Sequence, residues 1–110
     1  MMIEIRIYYT GKEGKAKEFA NEMIVSKVVD RIRSEEGNLE YSYFIPLGSK
    51  DTVMLIDSWE NQEAIDKHHA SPMMAEIIRL REKYDLTMKV ERKEVADSDI
   101  PDYDNSFIKK

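Results

Sequence analysis

Four stretches of the chain alternate apolar and polar residues with a period of two, which is typical of β-strands with one buried face. In the first stretch every second residue is apolar, as seen at Ile3, Ile5, Ile7 and Tyr9. Pro46 ends the second stretch, and the polar segment 47–51 predicts a hairpin loop before the third. The pattern predicts strands over residues 2–9, 39–45, 52–60 and 86–95.

Residues 15–35, between the first two strands, place apolar side chains three and four positions apart. This spacing predicts one amphipathic helix. Its apolar positions are Ala16, Phe19, Ala20, Met23, Ile24, Val28 and Ile32. Gly37 and Asn38 follow, and both tolerate the left-handed backbone conformation that ends helices.

A second helical region follows the third strand. Asn61 can cap a short helix that runs to about His69. Ser71 and Pro72 predict the start of another helix, because a hydroxyl cap and a proline at the first position favour helix initiation. That helix carries apolar residues at Met73, Ile77, Leu80 and Tyr84.

The element order β-α-β-β-α-β is that of the ferredoxin-like, split β-α-β fold. It predicts an α+β domain over residues 1–95, with a four-stranded antiparallel sheet and both helical regions on one face. Residues 96–110 are acidic and polar apart from Ile100, Tyr103, Phe107 and Ile108. We expect this segment to be a loose C-terminal tail or an arm that docks elsewhere.

The second face of the sheet predicts a partner. If Leu55 and Trp59 face the helices, Met54 and Ile56 point away from them, and Tyr8 and Phe44 can join that outer face. An exposed apolar patch usually marks an interface. We therefore expect a homodimer in which a second sheet closes a dimeric α+β barrel. The alternative is that these side chains are scattered and half-buried.

Composition limits the function classes. The 110 residues are 42% hydrophobic and 35% charged, with a net charge of −5, which argues against disorder, nucleic-acid binding and attraction to anionic membranes. No apolar run approaches the ~20 residues of a membrane span, and no signal peptide is visible. The absence of cysteine excludes disulfides and thiolate chemistry. These features fit a soluble, cytoplasmic protein.

Trp59, at the end of the third strand, is the first candidate for chemistry, together with Asp57 before it and His68 after it. In the structural interpretation, which spacing alone favours, Trp59 is a core aromatic and His68 packs against it. In the functional interpretation, the imidazole lies beside an aromatic wall in a cavity and removes a proton from a weakly acidic substrate.

Other chemistry has less support. Adjacent helical positions diverge by about 100°, so His68 and His69 are not expected to chelate one metal. A metal site is therefore not predicted. Residues 11–14 lack the spacing of the phosphate-binding motifs, so no nucleotide cofactor is predicted either. Arg79 and Arg81 are more typical of solvated or ion-paired side chains than of anion-binding ones, although Arg79 could reach a cavity.

Residues 56–72 resemble the signature of the antibiotic biosynthesis monooxygenase family: an acid two residues before a tryptophan, a short helix with Glu-Ala-aliphatic, a histidine, and Ser-Pro. Residues 36–39, followed by Tyr41 and Tyr43, resemble the family's Glu-Gly segment before strand two. The resemblance extends over about residues 2–95.

The resemblance implies a dimeric α+β barrel with one pocket per subunit, and a cofactor-free oxygenase of quinol-like or anthrone-like aromatics that uses O₂. In that chemistry a base forms a substrate anion, which passes an electron to O₂. Carried over by position, Trp59 and His68 are the catalytic residues. The substrate contacts are then Asp57, Leu55, Tyr43, Met73 and Ile77.

The chain departs from relatives at four positions. Leu55 stands where some oxygenases have asparagine, and Met73 stands where a histidine is common. Arg6 on strand one, with Ile77 and Ile78 in the helix, replaces the asparagine and histidine of haem-degrading members, which disfavours haem degradation. Two other hypotheses stay open: an isomerase that uses His68 without O₂, and a non-catalytic dimeric ligand-binding or stress protein.

Overall fold

The computed structural model describes residues 1–96 and 106–109. It has four strands and four helices in the order β-α-α-β-β-α-α-β. They are β1 (Met2–Thr10), α1 (Lys15–Val25), α2 (Val28–Arg33), β2 (Asn38–Phe44), β3 (Thr52–Trp59), α3 (Gln62–His69), α4 (Pro72–Lys83) and β4 (Thr87–Val95). The predicted strands are confirmed to within one residue at each end.

The four strands form one antiparallel sheet in the order β2-β3-β1-β4. The register sets which side chains share a face, because residues directly opposite each other point the same way. Ile7 of β1 lies opposite Leu55 of β3 and Val90 of β4. The helices cover this face, which confirms the predicted ferredoxin-like α+β architecture.

The core lies between the helices and the covered face of the sheet. Leu55 and Trp59 are fully buried there, together with Phe19 and Met23 of α1 and Leu80 of α4. Burial of each such side chain contributes about 1.5–3 kcal/mol to folding. The predicted orientation of Leu55 and Trp59 toward the helices is therefore confirmed.

The first helical region is broken, so the prediction of one continuous helix over residues 15–35 is wrong. Helix α1 ends at Val25, and Lys27 adopts a left-handed conformation with φ of 72° before α2 begins. The break turns α2 so that its adjacent residues Val28 and Val29 are both buried, which one straight helix does not favour. It also leaves Ile24 half-exposed, although its spacing had placed it on the buried face.

The outer face of the sheet carries the apolar side chains that the alternation predicted. Met54 lies opposite both Tyr8 and Phe44, so these three residues form an apolar row across β2, β3 and β1. Ile56 lies in the neighbouring row, opposite Arg6. The outer face is thus mixed, with an apolar strip at one end.

The predicted tail, 96–110, lies mostly outside the described residues, which resume at 106–109. Those four residues are exposed. None of the helices in the described part of the chain is long and apolar enough to cross a bilayer.

The turn before β2 is held closely against α3. Gly37 has φ of +84°, and a β-carbon placed on it would lie 2.5 Å from the β-carbon of Ala64. The carbonyl of Gly37 also accepts a hydrogen bond of 2.8 Å from the backbone N–H of Glu60. Glycine is thus required here both by the conformation and by the close approach of the helix.

We predict that Gly37→Ala destabilises the fold by about 2–4 kcal/mol, because left-handed strain adds to the overlap with Ala64. Gly48→Ala is the matched control: its φ is +85°, but nothing lies within 4 Å of the added β-carbon. Gly48→Ala should lower the free energy of unfolding by only about 1 kcal/mol. Urea denaturation measures both values, and equal losses in the two variants would contradict the proposed close approach.

Candidate active site

A cavity of about 240 Å³ lies between the sheet and helices α3 and α4. Its apolar wall is formed by Ile5, Ile7, Met74, Ile77, Met88 and Val90. Its polar groups are carried by Tyr9, Tyr41, Asp57, His68, His69 and Arg81. A mainly apolar hollow with a few converging polar groups is the usual form of a small-molecule site.

Helix α3 brings His68 to the cavity. The side chain of Asn61 caps this helix by accepting a hydrogen bond of 2.9 Å from the backbone N–H of Ala64, as predicted. Ala64 and His68 lie on the buried side of the helix. Ser71 does not cap the next helix with its hydroxyl as expected; it donates instead to the carbonyl of His68 at 2.7 Å. The hydroxyl thus fixes the end of α3 that carries the imidazole.

The imidazole of His68 is held on two sides. Its Nδ1 lies 2.7 Å from Oε2 of Glu35, just beyond α2. Its ring packs against the indole of Trp59, with centroids 4.8 Å apart and planes inclined by 31°. Burial lowers the pKa of His68, although the hydrogen bond and charge of Glu35 act in the opposite direction. The imidazole is therefore oriented and favours its neutral form.

The carboxyl of Asp57 is the second ionisable group in the cavity. Its Oδ1 accepts a hydrogen bond of 2.5 Å from the indole Nε1–H of Trp59. Burial raises the pKa of Asp57 to about 7, and the charge of Glu35 adds to this, while the bond from Trp59 opposes it. Asp57 can therefore take or give a proton near neutral pH.

Two phenols complete the polar lining. Tyr9 and Tyr41 are almost fully buried, and burial raises the pKa of both hydroxyls above its ordinary value. Both hydroxyls therefore remain protonated at neutral pH, so the cavity contains neutral donors beside the two acid–base groups.

The structure brings only some of the predicted site residues to the cavity. His68, Asp57 and Ile77 line it. Trp59 is fully buried behind the imidazole and does not itself line the cavity. The remaining three, which are Leu55, Tyr43 and Met73, pack in or against the hydrophobic core instead.

Sequence reasoning missed several groups. Glu35 is 33 positions from His68, and no local pattern connects them. Arg81 could have been found, because Met74, Ile77 and Arg81 share one helical face at spacings of three and four. Arg79, which was considered able to reach a cavity, forms an ion pair with Glu76 on the surface.

His69 also lines the cavity beside His68, with ring centroids 5.9 Å apart. The part of the chain that the structure describes contains no group of three or more histidine, aspartate or glutamate side chains able to hold a metal ion. The arrangement instead offers proton transfer within an apolar enclosure.

Solved structures share this fold. The chain superposes on a "Putative Antibiotic Biosynthesis Monooxygenase" from Deinococcus radiodurans with a TM-score of 0.77 and 19% identity, covering 92% of this chain and 98% of that one. It superposes on SnoaB, a cofactor-independent oxygenase from Streptomyces nogalater, with a TM-score of 0.72 and 10% identity, covering 88% and 95%. At these identities the likeness shows the fold alone.

The amino-acid sequence is also similar to that of known proteins, and this similarity identifies the family. The chain is 31% identical over 68 residues to "Putative monooxygenase YcnE" of Bacillus subtilis, which covers 62% of this chain and 70% of that protein. Residues 2–80 match the sequence profile of the family described as antibiotic biosynthesis monooxygenase. The chain therefore belongs to the antibiotic biosynthesis monooxygenase family.

Proposed function

We propose that the chain is a cofactor-independent monooxygenase of small, quinol-like aromatics. The observation that carries the proposal is the oriented, largely neutral imidazole of His68 at the wall of an apolar cavity. The relative in Bacillus subtilis is named a monooxygenase, and SnoaB, which shares the fold, is named a cofactor-independent oxygenase. Both names agree with this activity.

The first step is proton transfer to His68. Glu35 accepts the hydrogen bond of the Nδ1–H, which leaves the lone pair of Nε2 available. The stack against Trp59 prevents the ring from turning away. His68 then removes the hydroxyl proton of the substrate and leaves a delocalised anion. Asp57 is a second proton acceptor, since it titrates near neutral pH in the same cavity.

The remaining steps need only the substrate and O₂. The anion passes one electron to O₂, and the resulting radical and superoxide join through a new carbon–oxygen bond. The peroxide takes the proton from His68. The carbon then loses its hydrogen as a proton while the O–O bond breaks, so that one oxygen atom remains as a carbonyl and the other leaves in water. The substrate supplies all four electrons.

The size of the cavity favours a small ring system. A dry cavity of about 150 Å³ in another protein accommodates benzene, and the cavity here measures about 240 Å³. One substituted ring or two fused rings therefore fit inside it, whereas a three-ring anthrone would extend beyond it toward solvent. This favours a quinol-like substrate over an anthrone-like one.

Isomerisation is the second candidate. His68 and Asp57 line one cavity, so one group could take a proton while the other returns it to a different carbon. Such a reaction consumes no O₂. Turnover of a substrate under strict anaerobiosis would favour isomerisation, and a strict requirement for O₂ would favour the oxygenase.

The outer face of the sheet supports a homodimer. The row of Phe44, Met54 and Tyr8, with Ile56 beside it, forms an apolar strip on the face without helices. A second copy of the sheet placed against this strip would remove it from water and form the dimeric barrel. The cavity lies on the opposite face of the sheet, so in this dimer each cavity would be lined by residues of one subunit.

We predict that His68→Ala lowers O₂ uptake with a panel of reduced quinones by about 10²–10⁴-fold, which is the usual contribution of a general base. Glu35→Gln should cause a smaller loss, because it keeps an acceptor but removes the charge. Lys67→Ala, on the exposed side of the same helix, is the control and should keep the activity. Uptake unchanged in His68→Ala would remove His68 from the mechanism.

We predict that Asp57→Asn stabilises the fold at pH 8 more than at pH 5. The pKa of Asp57 is about 7 in the folded chain, against an ordinary value of 3.8. Ionisation thus disfavours the folded state increasingly as pH rises from about 4 to 7, and the penalty is absent below this window. The gain from asparagine should grow by on the order of 2 kcal/mol between the two pH values.

Urea denaturation at both pH values measures this difference. The exposed Asp51→Asn is the matched control and should show little change with pH. An Asp57→Asn gain that is equal at pH 5 and pH 8 would show that the carboxyl does not titrate in this range and would remove it as a second proton acceptor.

We predict that the wild-type chain scatters light as a particle of twice its mass of 12.9 kDa at micromolar concentration. Met54→Glu should shift it toward monomer, because a charge would be buried in the apolar strip. Ile24→Glu, at an exposed position of α1, should remain dimeric. A purely monomeric wild type would reject the dimer.

A further inference from the structure

Arg81 lies at the cavity, and among the described residues no carboxylate forms an ion pair with it. Its guanidinium donates to the thioether sulfur of Met88 at 2.7 Å, and a thioether is a weak acceptor. Within residues 1–96 and 106–109, no ion pair involves Arg81. By contrast, Arg6, Arg79 and Arg92 each form an ion pair with a glutamate. Arg31 and Arg33 form no ion pair among these residues either, so Arg81 is distinguished by its half-buried position at the cavity.

The groups around Arg81 do not neutralise its charge. Tyr9, which faces it from β1, is a neutral phenol. Glu82 and Asp85 share a shallow outer depression with Arg81 but form no ion pair with it in the described chain. Asp57 lines the same cavity as Arg81, and among the described residues the two side chains form no ion pair.

An incompletely paired guanidinium beside apolar side chains binds anions well. It lies among Ile77, Met88 and Val90, so it is partly removed from water, which strengthens a charge-assisted hydrogen bond. Its planar fork matches a carboxylate, with which it can form two parallel hydrogen bonds. His69, a further lining residue, can supply another donor.

We infer that Arg81, assisted by His69, is an anion subsite and that the aromatic substrate carries a carboxylate. This rests on the proposed function and specifies its substrate class. The carboxylate binds at Arg81, and the hydroxyl that loses its proton lies toward His68 and Asp57. A single ring with both substituents fits the volume of about 240 Å³.

The test compares two probes that have the same ring and hydroxyl groups: 2,5-dihydroxybenzoate, which is an anion, and its methyl ester, which is neutral and larger by one methyl group. Binding is measured by titration calorimetry at pH 7 in anaerobic buffer, so that no turnover takes place. The wild type should bind the acid about tenfold or more tightly than the ester, as expected for a hydrogen-bonded charge pair. Arg81→Gln should abolish this preference, and Arg81→Lys should keep part of it because the charge remains.

Arg79→Gln is the matched control, since Arg79 lies two residues away on the same helix but is exposed and paired with Glu76; it should keep the full preference. Equal affinities of the wild type for acid and ester, a preference that survives Arg81→Gln, or no binding of either probe would overturn the subsite. O₂ uptake with 2,5-dihydroxybenzoate and with a panel of reduced quinones tests the oxygenase separately. O₂ uptake without tighter binding of the acid would reject only the anion subsite. Tighter binding of the acid without O₂ uptake would reject only the oxygenase activity.

Discussion

The hydrogen bond between Glu35 and His68 is the constraint on which the site depends. It joins the turn after α2 to α3, and the imidazole then packs against Trp59 at the end of β3. Burying an imidazole without a partner would be unfavourable, and the carboxylate offsets part of that penalty. Three segments that are distant in the sequence are thereby held in one arrangement, with the tautomer of the imidazole set by Glu35.

Trp59 contacts the two acid–base groups of the cavity, His68 and Asp57. Its ring face contacts His68, and its N–H donates to Asp57. Burial lowers the pKa of the imidazole and raises that of the carboxyl to about 7, so it makes both groups favour their neutral forms. An ionised Asp57 reduces stability at neutral pH, so the fold accepts an unfavourable group at this position. Such a compromise is common where a site needs a proton acceptor.

The sequence predicted the sheet, its buried face and the position of the second helical region, because those features follow from local periodicity. It did not predict the break at Lys27, since Ile24 and Val28 fit one helix as well as two. The structure confirms the structural interpretation of Trp59 and His68, because the two rings pack together. The imidazole also lines a cavity, and its role as a base stays a prediction.

The rest of the site depends on long-range contacts that a single sequence does not reveal. The partner of His68 is such a case, because Glu35 and the adjacent Glu36 fit the pattern equally well. The choice between Arg79 and Arg81 depended on helix orientation. The spacing from Met74 and Ile77 indicates the correct face only once the cavity is known to lie there.

The proposed dimer interface and the proposed active site lie on opposite faces of the sheet. The apolar strip at Met54 faces away from the helices, and the cavity lies beneath them, so a dimer formed through the strip leaves the cavity wall intact. Met88 and Val90 on β4 point toward the helical side but lie beyond the cover of the helices, and both remain substantially exposed. A substrate anion that approached along β4 would meet Arg81, whose guanidinium contacts Met88. Attraction of an anion at the open side and proton removal at the enclosed side would orient an asymmetric ring before the reaction begins.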